Sequence, residues 1–251
     1  MDPAGLRVTE LSLPLSLEVQ KTAPPKRPVP MAKKNYQIIA CETVIDEMRP
    51  FMPPDMCYQA IEPGLHLRPQ KLKDALQEVI DRISAETDTI ILGYGLCSMA
   101  VIGLQAAKST LVVPRMDDCI AMLLGSQTDY KKQLRQEPGT YFLSKGWIES
   151  GINIADEFRK TKERHGSKQA ELIRQVMFKN YTRLVFINLG YRDSERYRQF
   201  SHRAAAELNL RFEEIEGTPR LLSKIANGPW DDEFVVAPPG HAIRLEDFLK
   251  K

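Results

Sequence analysis

A chain of 251 residues, 43% apolar and 27% charged, can bury one substantial core and falls within the size of a single α/β domain, so a two-domain split is unnecessary. The formal charge of +2 is small and the two signs are interspersed, which leaves no electrostatic footprint for nucleic acid or a membrane surface. No run approaches the ~20 apolar residues that span a bilayer. The apolar stretch 11–17 is broken by Ser and Pro, lies between Glu10 and Glu18 and lacks a cleavage site, so the expected protein is soluble and cytoplasmic.

In chain order, residues 1–34 contain TAPPKRPVP and no sustained period. They read as a flexible leader, or as an artefact of start-codon choice if Met31 is the true start, with a single α/β domain over 35–251. Strands are predicted at YQIIAC and CYQAIE, then a helix over 69–85 whose apolar residues recur at spacings of three and four, with Pro69 in its first turn. TIILGYG reads as a strand, CSMAVIGLQAA as a helix and TLVVP as a strand. Asp117 or Asp118 caps a helix running to Leu124, and TYFLSKGW is a short strand or an excursion. Helices follow at 152–162 and 169–179, a strand at RLVFINLG, and a helix over 194–208. LRFEEIEG and EFVVAPPG are the last strands, separated by a short helix over 219–225 with Thr218 as its N-cap. Alternating elements with β-branched runs that lack in-out polarity predict a mainly parallel sheet covered by helices on both faces, a Rossmann-like three-layer fold with its ligand site at the carboxyl ends of the strands.

Four cysteines in a reducing compartment are buried, metal-bound or reactive thiols rather than disulfides. Cys41, Cys97 and Cys119 each stand where a strand hands over to a helix, so residues far apart in sequence can meet at the strand ends; Cys57, at a strand start, reads as core. Three thiolates on Zn²⁺ leave one tetrahedral position open, and three on a four-iron cluster leave one iron free. Free cysteine is equally at home in a core as a small hydrophobe, and the local CxxC spacing of a zinc site is missing.

Around these thiols, Gly93 and Gly95 permit a tight turn with close backbone approach to a ligand, although neither a P-loop nor a full GxGxxG pattern is present. Arg115 can fork onto an anionic substrate, and Asp118 can serve as a base or simply cap a helix. His66 and His241 follow strand exits and can reach the same rim, while Thr218 opens a helix whose N–H groups can face an anion. Trp147 and Trp230 suit loop packing and receive no chemistry.

The blocks ACET at 40–43, EPGLH at 62–66, GYGLC at 93–97, PRMDDCIAMLLGS at 114–126, PGTYFLSKGW at 138–147 and WDDEFVVAPPG at 230–240 resemble the bacterial and archaeal family known as domain of unknown function 1638. The resemblance implies that Cys41, Cys97, Cys119, Arg115, Asp118 and His66 belong to the family pattern. It brings no established activity. It also implies company with corrinoid-dependent methyltransferases, hence a corrinoid protein or methyltransferase as partner, or a corrinoid as cofactor. The expectation is a metal-dependent, transferase-like protein. Cys41, Cys97 and Cys119 would hold zinc or an iron–sulfur cluster, Gly93, Gly95 and Thr218 would hold the ligand, and Arg115, Asp118 and His66 would act on a small anionic substrate in methyl or one-carbon transfer. Two rivals stand beside it: a non-catalytic module that binds a corrinoid, metal or partner, and a metal-free enzyme with a cysteine nucleophile.

Overall fold

The computed structural model describes residues 35–97 and 99–249, so the leader expected over 1–34 lies outside the described residues. The described residues all fall within one compact unit. Its first sheet holds β1 (Tyr36–Cys41), β2 (Cys57–Ile61), β3 (Thr89–Gly93), β4 (Thr110–Pro114) and β8 (Phe234–Ala237) in the order β2-β1-β3-β4-β8. The first four strands run parallel, and β8 closes the edge antiparallel to β4, pairing Leu111 with Ala237 and Pro114 with Phe234. Mixed α/β architecture with a mostly parallel central sheet agrees with the expected fold class. The chain reverses its direction of advance between β1 and β3, which makes the crevice outside their carboxyl ends a topological switch point.

Both faces of this sheet are apolar because both are covered. Ile39, Ile90, Leu92, Leu111 and Val113 pack on one face with α2 (Pro69–Ile83), whose stripe of Leu72, Leu76, Val79 and Ile80 is buried. Ile38, Ala40, Ile91 and Val112 pack on the other face with α1 (Glu42–Met48), α3 (Cys119–Leu124) and α8 (Arg220–Asn227).

The remaining strands form a second parallel sheet, β5-β6-β7, from Thr140–Leu143, Arg183–Asn188 and Arg211–Glu216. Val185 and Ile187 of β6 join the same core as α1, α3 and α8, so that helical layer lies between two sheets. Leu184 faces the other way, onto a core shared with Ala204, Ala205 and Leu208 of α7 (Ser194–Leu208). Period-two apolar patterning identifies strands without assigning them to sheets, so this division was not legible in the sequence.

Several local expectations change. The helix expected over CSMAVIGLQAA is replaced by turns: Cys97, Met99 and Gly103 all take positive φ, and Gly103 N–H donates to the Ile243 carbonyl at 2.7 Å. Cys57 is exposed rather than core, because β2 is an edge strand. The expected helices at 152–162 and 169–179 join into α6 (Ile154–Met177), broken at Gly166 with φ of 81°. Helix α4 (Gln127–Gln136) was missed although Ser126 caps it, and α5 (Lys145–Glu149) and α9 (Leu245–Leu249) complete the α-helices among the described residues. Helix α8 begins one residue later than expected; Thr218 Oγ1 still accepts from Arg220 N–H at 3.3 Å. Among the described residues no helix is long and apolar enough to cross a membrane.

Candidate functional site

Outside the carboxyl ends of β1, β3 and β4 lies a cavity of about 650 Å³. Cys41, Cys97 and Cys119 all line it, each delivered by a different strand exit. Cys41 ends β1 and is the residue from which α1 departs. Cys97 lies on the loop after β3, and Cys119 opens α3.

The two later cysteines are held together by backbone. Leu96 N–H donates to the Met116 carbonyl at 2.8 Å and Cys97 N–H to the Asp117 carbonyl at 3.0 Å, so the GYGLC loop lies along the PRMDDC loop. Gly95 allows that approach, since a Cβ there would come within 2.5 Å of the Met116 oxygen. Gly93 serves a similar purpose between strands: a Cβ on it would meet the Ala40 Cβ at 2.6 Å. Cys97 adopts φ of 40°, a left-handed conformation disfavoured for a side chain with a Cβ, and such local strain concentrates at functional positions.

Burial pushes all three thiols up, Cys97 to about 12 and Cys119 well above the ordinary thiol value. Mutual repulsion adds to the burial for Cys97 and Cys119, each of which feels Cys41. Among the described residues no Lys or Arg lines the cavity to offset this. Tyr94 belongs to the same cluster. Its residue is 4% exposed, its hydroxyl has no hydrogen-bond partner among the described residues, and its pKa is raised by burial and then by the three cysteines. A buried hydroxyl without a partner costs free energy and calls for an explanation. Tyr94 was missed in the sequence, where only its flanking glycines drew attention.

Asp118 caps α3, with Oδ1 accepting from Ile120 N–H at 2.9 Å and Oδ2 from Tyr130 Oη at 2.7 Å. It also lines the cavity, and burial holds its carboxyl above the usual range despite those bonds. His66 lines the cavity edge-on to Trp147, ring centroids 5.3 Å apart, and burial lowers its pKa, which favours the neutral imidazole.

Other expected site residues lie elsewhere. Arg115 turns away from the lining: Nε donates to the Phe234 carbonyl at 3.0 Å and Nη1 to the Asp247 carbonyl, tying β4 to β8 and α9. Thr218 packs its Cγ2 against Gly125, and its N–H bonds the Leu123 carbonyl, so it joins α3 to the start of α8. Gly95 is absorbed by loop packing, while Gly93 keeps a place in the lining. His241 pairs with Asp247 at 3.0 Å, away from the cavity.

The far wall comes from the second sheet and its neighbours: Tyr141 and Phe142 of β5, Trp147 of α5, and Asn153, Ile154 and Glu157 at the start of α6. Asn153 fixes this corner by capping α6 and donating from Nδ2 to the Trp147 carbonyl at 3.1 Å. Trp147 thus belongs to the cavity, whereas Trp230 packs edge-on to Tyr36 as loop packing requires.

Among the described residues, no group of three or more His, Cys, Asp and Glu side chains is already drawn around one point as a metal site would be. A family model described as Protein of unknown function (DUF1638) matches residues 60–226. The chain belongs to this family. No curated protein and no solved structure matches it. The DUF1638 match takes in His66, Tyr94, Cys97, Cys119 and Trp147 and begins after Cys41, so the first thiol of the cavity lies outside the matched segment.

Proposed function

We propose that this DUF1638 protein is a metalloprotein, in which Cys41, Cys97 and Cys119 hold Zn²⁺ or an iron–sulfur cluster at the base of a cavity that takes a small substrate. The observation that carries this reading is the convergence of three thiols from three strand exits on one cavity, beside a buried tyrosine hydroxyl with no partner among the described residues. The donor set suits a soft metal, and a coordinated thiol is deprotonated outright, which removes the penalty that burial places on three neighbouring thiolates. The backbone already brings the cysteines to one cavity; their side chains would turn to meet one ion.

When bound, such a metal supplies an open coordination position, and methyl or one-carbon transfer is the reaction class we assign to it. The chain's own residues would do the rest. Tyr94 can donate a hydrogen bond to whatever occupies the thiol cluster, Asp118 can exchange a proton, and the aromatic wall excludes water from the substrate. Arg115, committed to backbone carbonyls, has no part in this.

The raised thiols weigh against a metal-free cysteine nucleophile, because nucleophilic cysteines need a depressed pKa and the described lining offers no Lys or Arg to provide one. The cavity, at about 650 Å³, is the size of a site for a drug-sized molecule or smaller, so a whole corrinoid is better assigned to a partner than to this pocket.

The test is elemental analysis and absorption spectroscopy of protein purified anaerobically, compared with a Cys41→Ala, Cys97→Ala, Cys119→Ala triple variant. Stoichiometric zinc or iron in the wild type, lost in a folded variant, is the expected result. Wild-type protein that binds neither metal on reconstitution overturns the reading.

A further inference from the structure

The charge and ring content of the cavity define a class of ligand. Its walls are aromatic, with Tyr130 and Phe142 at 6.1 Å between centroids, Tyr141 and Tyr181 at 6.3 Å, and Trp147 beside His66. Among the described residues its charged lining consists of carboxylates, Asp117, Asp118 and Glu157, without Lys or Arg; Lys160, outside the lining, pairs with Glu157 at 2.8 Å. Arg115, the cation expected to receive an anion, is turned away. His66 tends to the neutral form, so it adds no fixed positive charge.

Three helix N-termini reach the cavity, and each has a carboxylate in place: Glu42 follows Cys41 in the first turn of α1, Asp118 caps α3, and α6 carries Asp156 and Glu157 in its first turn, paired with Arg159 and Lys160. The cysteine cluster leans the same way. Three thiols are neutral, and three thiolates around a divalent metal leave one net negative charge.

An apolar ring-lined cavity with only negative charge suits a cation that is itself greasy: too poorly hydrated to resist desolvation, yet attracted to aromatic faces. We infer that the cavity binds a small alkylated onium ion, a methylated ammonium or sulfonium, rather than the anion expected from the sequence. This inference deepens the proposed function by naming its substrate class, and it rests on that reading only for the location of the site.

Isothermal titration of the full chain with choline and with 3,3-dimethylbutan-1-ol, its neutral carbon isostere, separates charge recognition from greasy fit. Choline should bind at least about tenfold more tightly, and Tyr181→Leu and Glu157→Gln, both at partly exposed positions, should each weaken choline and leave the isostere nearly unchanged. Trimethylsulfonium as a third ligand tells the two onium classes apart. Equal affinity for choline and its isostere overturns the inference, as does the absence of choline binding at ~10 mM. The triple cysteine variant is titrated in parallel. Choline binding that survives there shows an onium site independent of the thiols, and if the wild type also binds no metal on reconstitution, the metal reading falls while the onium site stands.

Discussion

Tyr94 shows how a single residue can be out of balance with its surroundings. Its hydroxyl is buried in the field of three thiols and has no hydrogen-bond partner among the described residues, a loss of the order of 1–3 kcal/mol for a polar group removed from water. Deleting only the oxygen should therefore relieve the protein. Tyr94→Phe is expected to leave stability unchanged or raise it by about 1 kcal/mol in metal-free protein, measured by urea denaturation. The same variant should change the thiolate-to-metal absorption of reconstituted protein. A loss of stability would mean that the hydroxyl has a partner and that the site is not built around it. Gly95 represents the opposite case, a residue that looked like a ligand cradle and instead lets two loops lie side by side.

At the scale of elements, β8 enters antiparallel at the edge of an otherwise parallel sheet and needs an anchor beyond its ladder. Arg115 is that anchor, reaching carbonyls of β8 and α9 from the exit of β4. Arg115→Ala is expected to cost about 2 kcal/mol, the scale of hydrogen bonds made by a charged donor, with metal content unaltered. Loss of bound metal at unchanged denaturation midpoint would instead return Arg115 to the site. Helix α6 spans Gly166 in a conformation open to glycine alone without strain, and both its first turn and Met177 at its last line the cavity.

For the whole molecule, the two sheets are joined through a buried carboxylate. Glu47 of α1 is 3% exposed; Oε1 accepts from Gly146 N–H of α5 at 2.7 Å, and Oε2 accepts from Tyr191 Oη, just beyond β6, at 2.6 Å. Gly146 allows the approach, since a Cβ there would meet the Thr43 oxygen at 2.6 Å. Burial outweighs these bonds and raises the Glu47 pKa above its usual 4.5. Between the unfolded and folded pKa values the native state keeps a proton that the unfolded chain has released. Its stability therefore falls as pH rises through that window and levels off above it. Glu47→Gln, which keeps an acceptor for Gly146 and offers Tyr191 a donor, removes this dependence. The variant should gain on the wild type as pH rises above the usual carboxylate value of 4.5, read from urea midpoints at each pH; parallel curves would show that Glu47 is charged in both states.

How much of this was legible in one dimension follows from the range of each interaction. Strand and helix periods, the exit positions of Cys41, Cys97 and Cys119 and the cap at Asp118 depend on neighbours a few residues apart, and these features are plain in the sequence. The rule that ligands gather at strand ends then placed the thiols on one side of the sheet. The direction of Arg115, the exposure of Cys57 and the turns after Cys97 depend on partners more than a hundred residues away or on sheet order. So does the aromatic wall: Tyr141, Phe142 and Trp147 became part of the cavity only when a second sheet packed across the helical layer from the first. The sequence by itself determined which groups were available, through local propensity and patterning. The tertiary structure decided which of them share a cavity and what sign of charge that cavity bears, because both follow from packing between segments that local preference cannot orient.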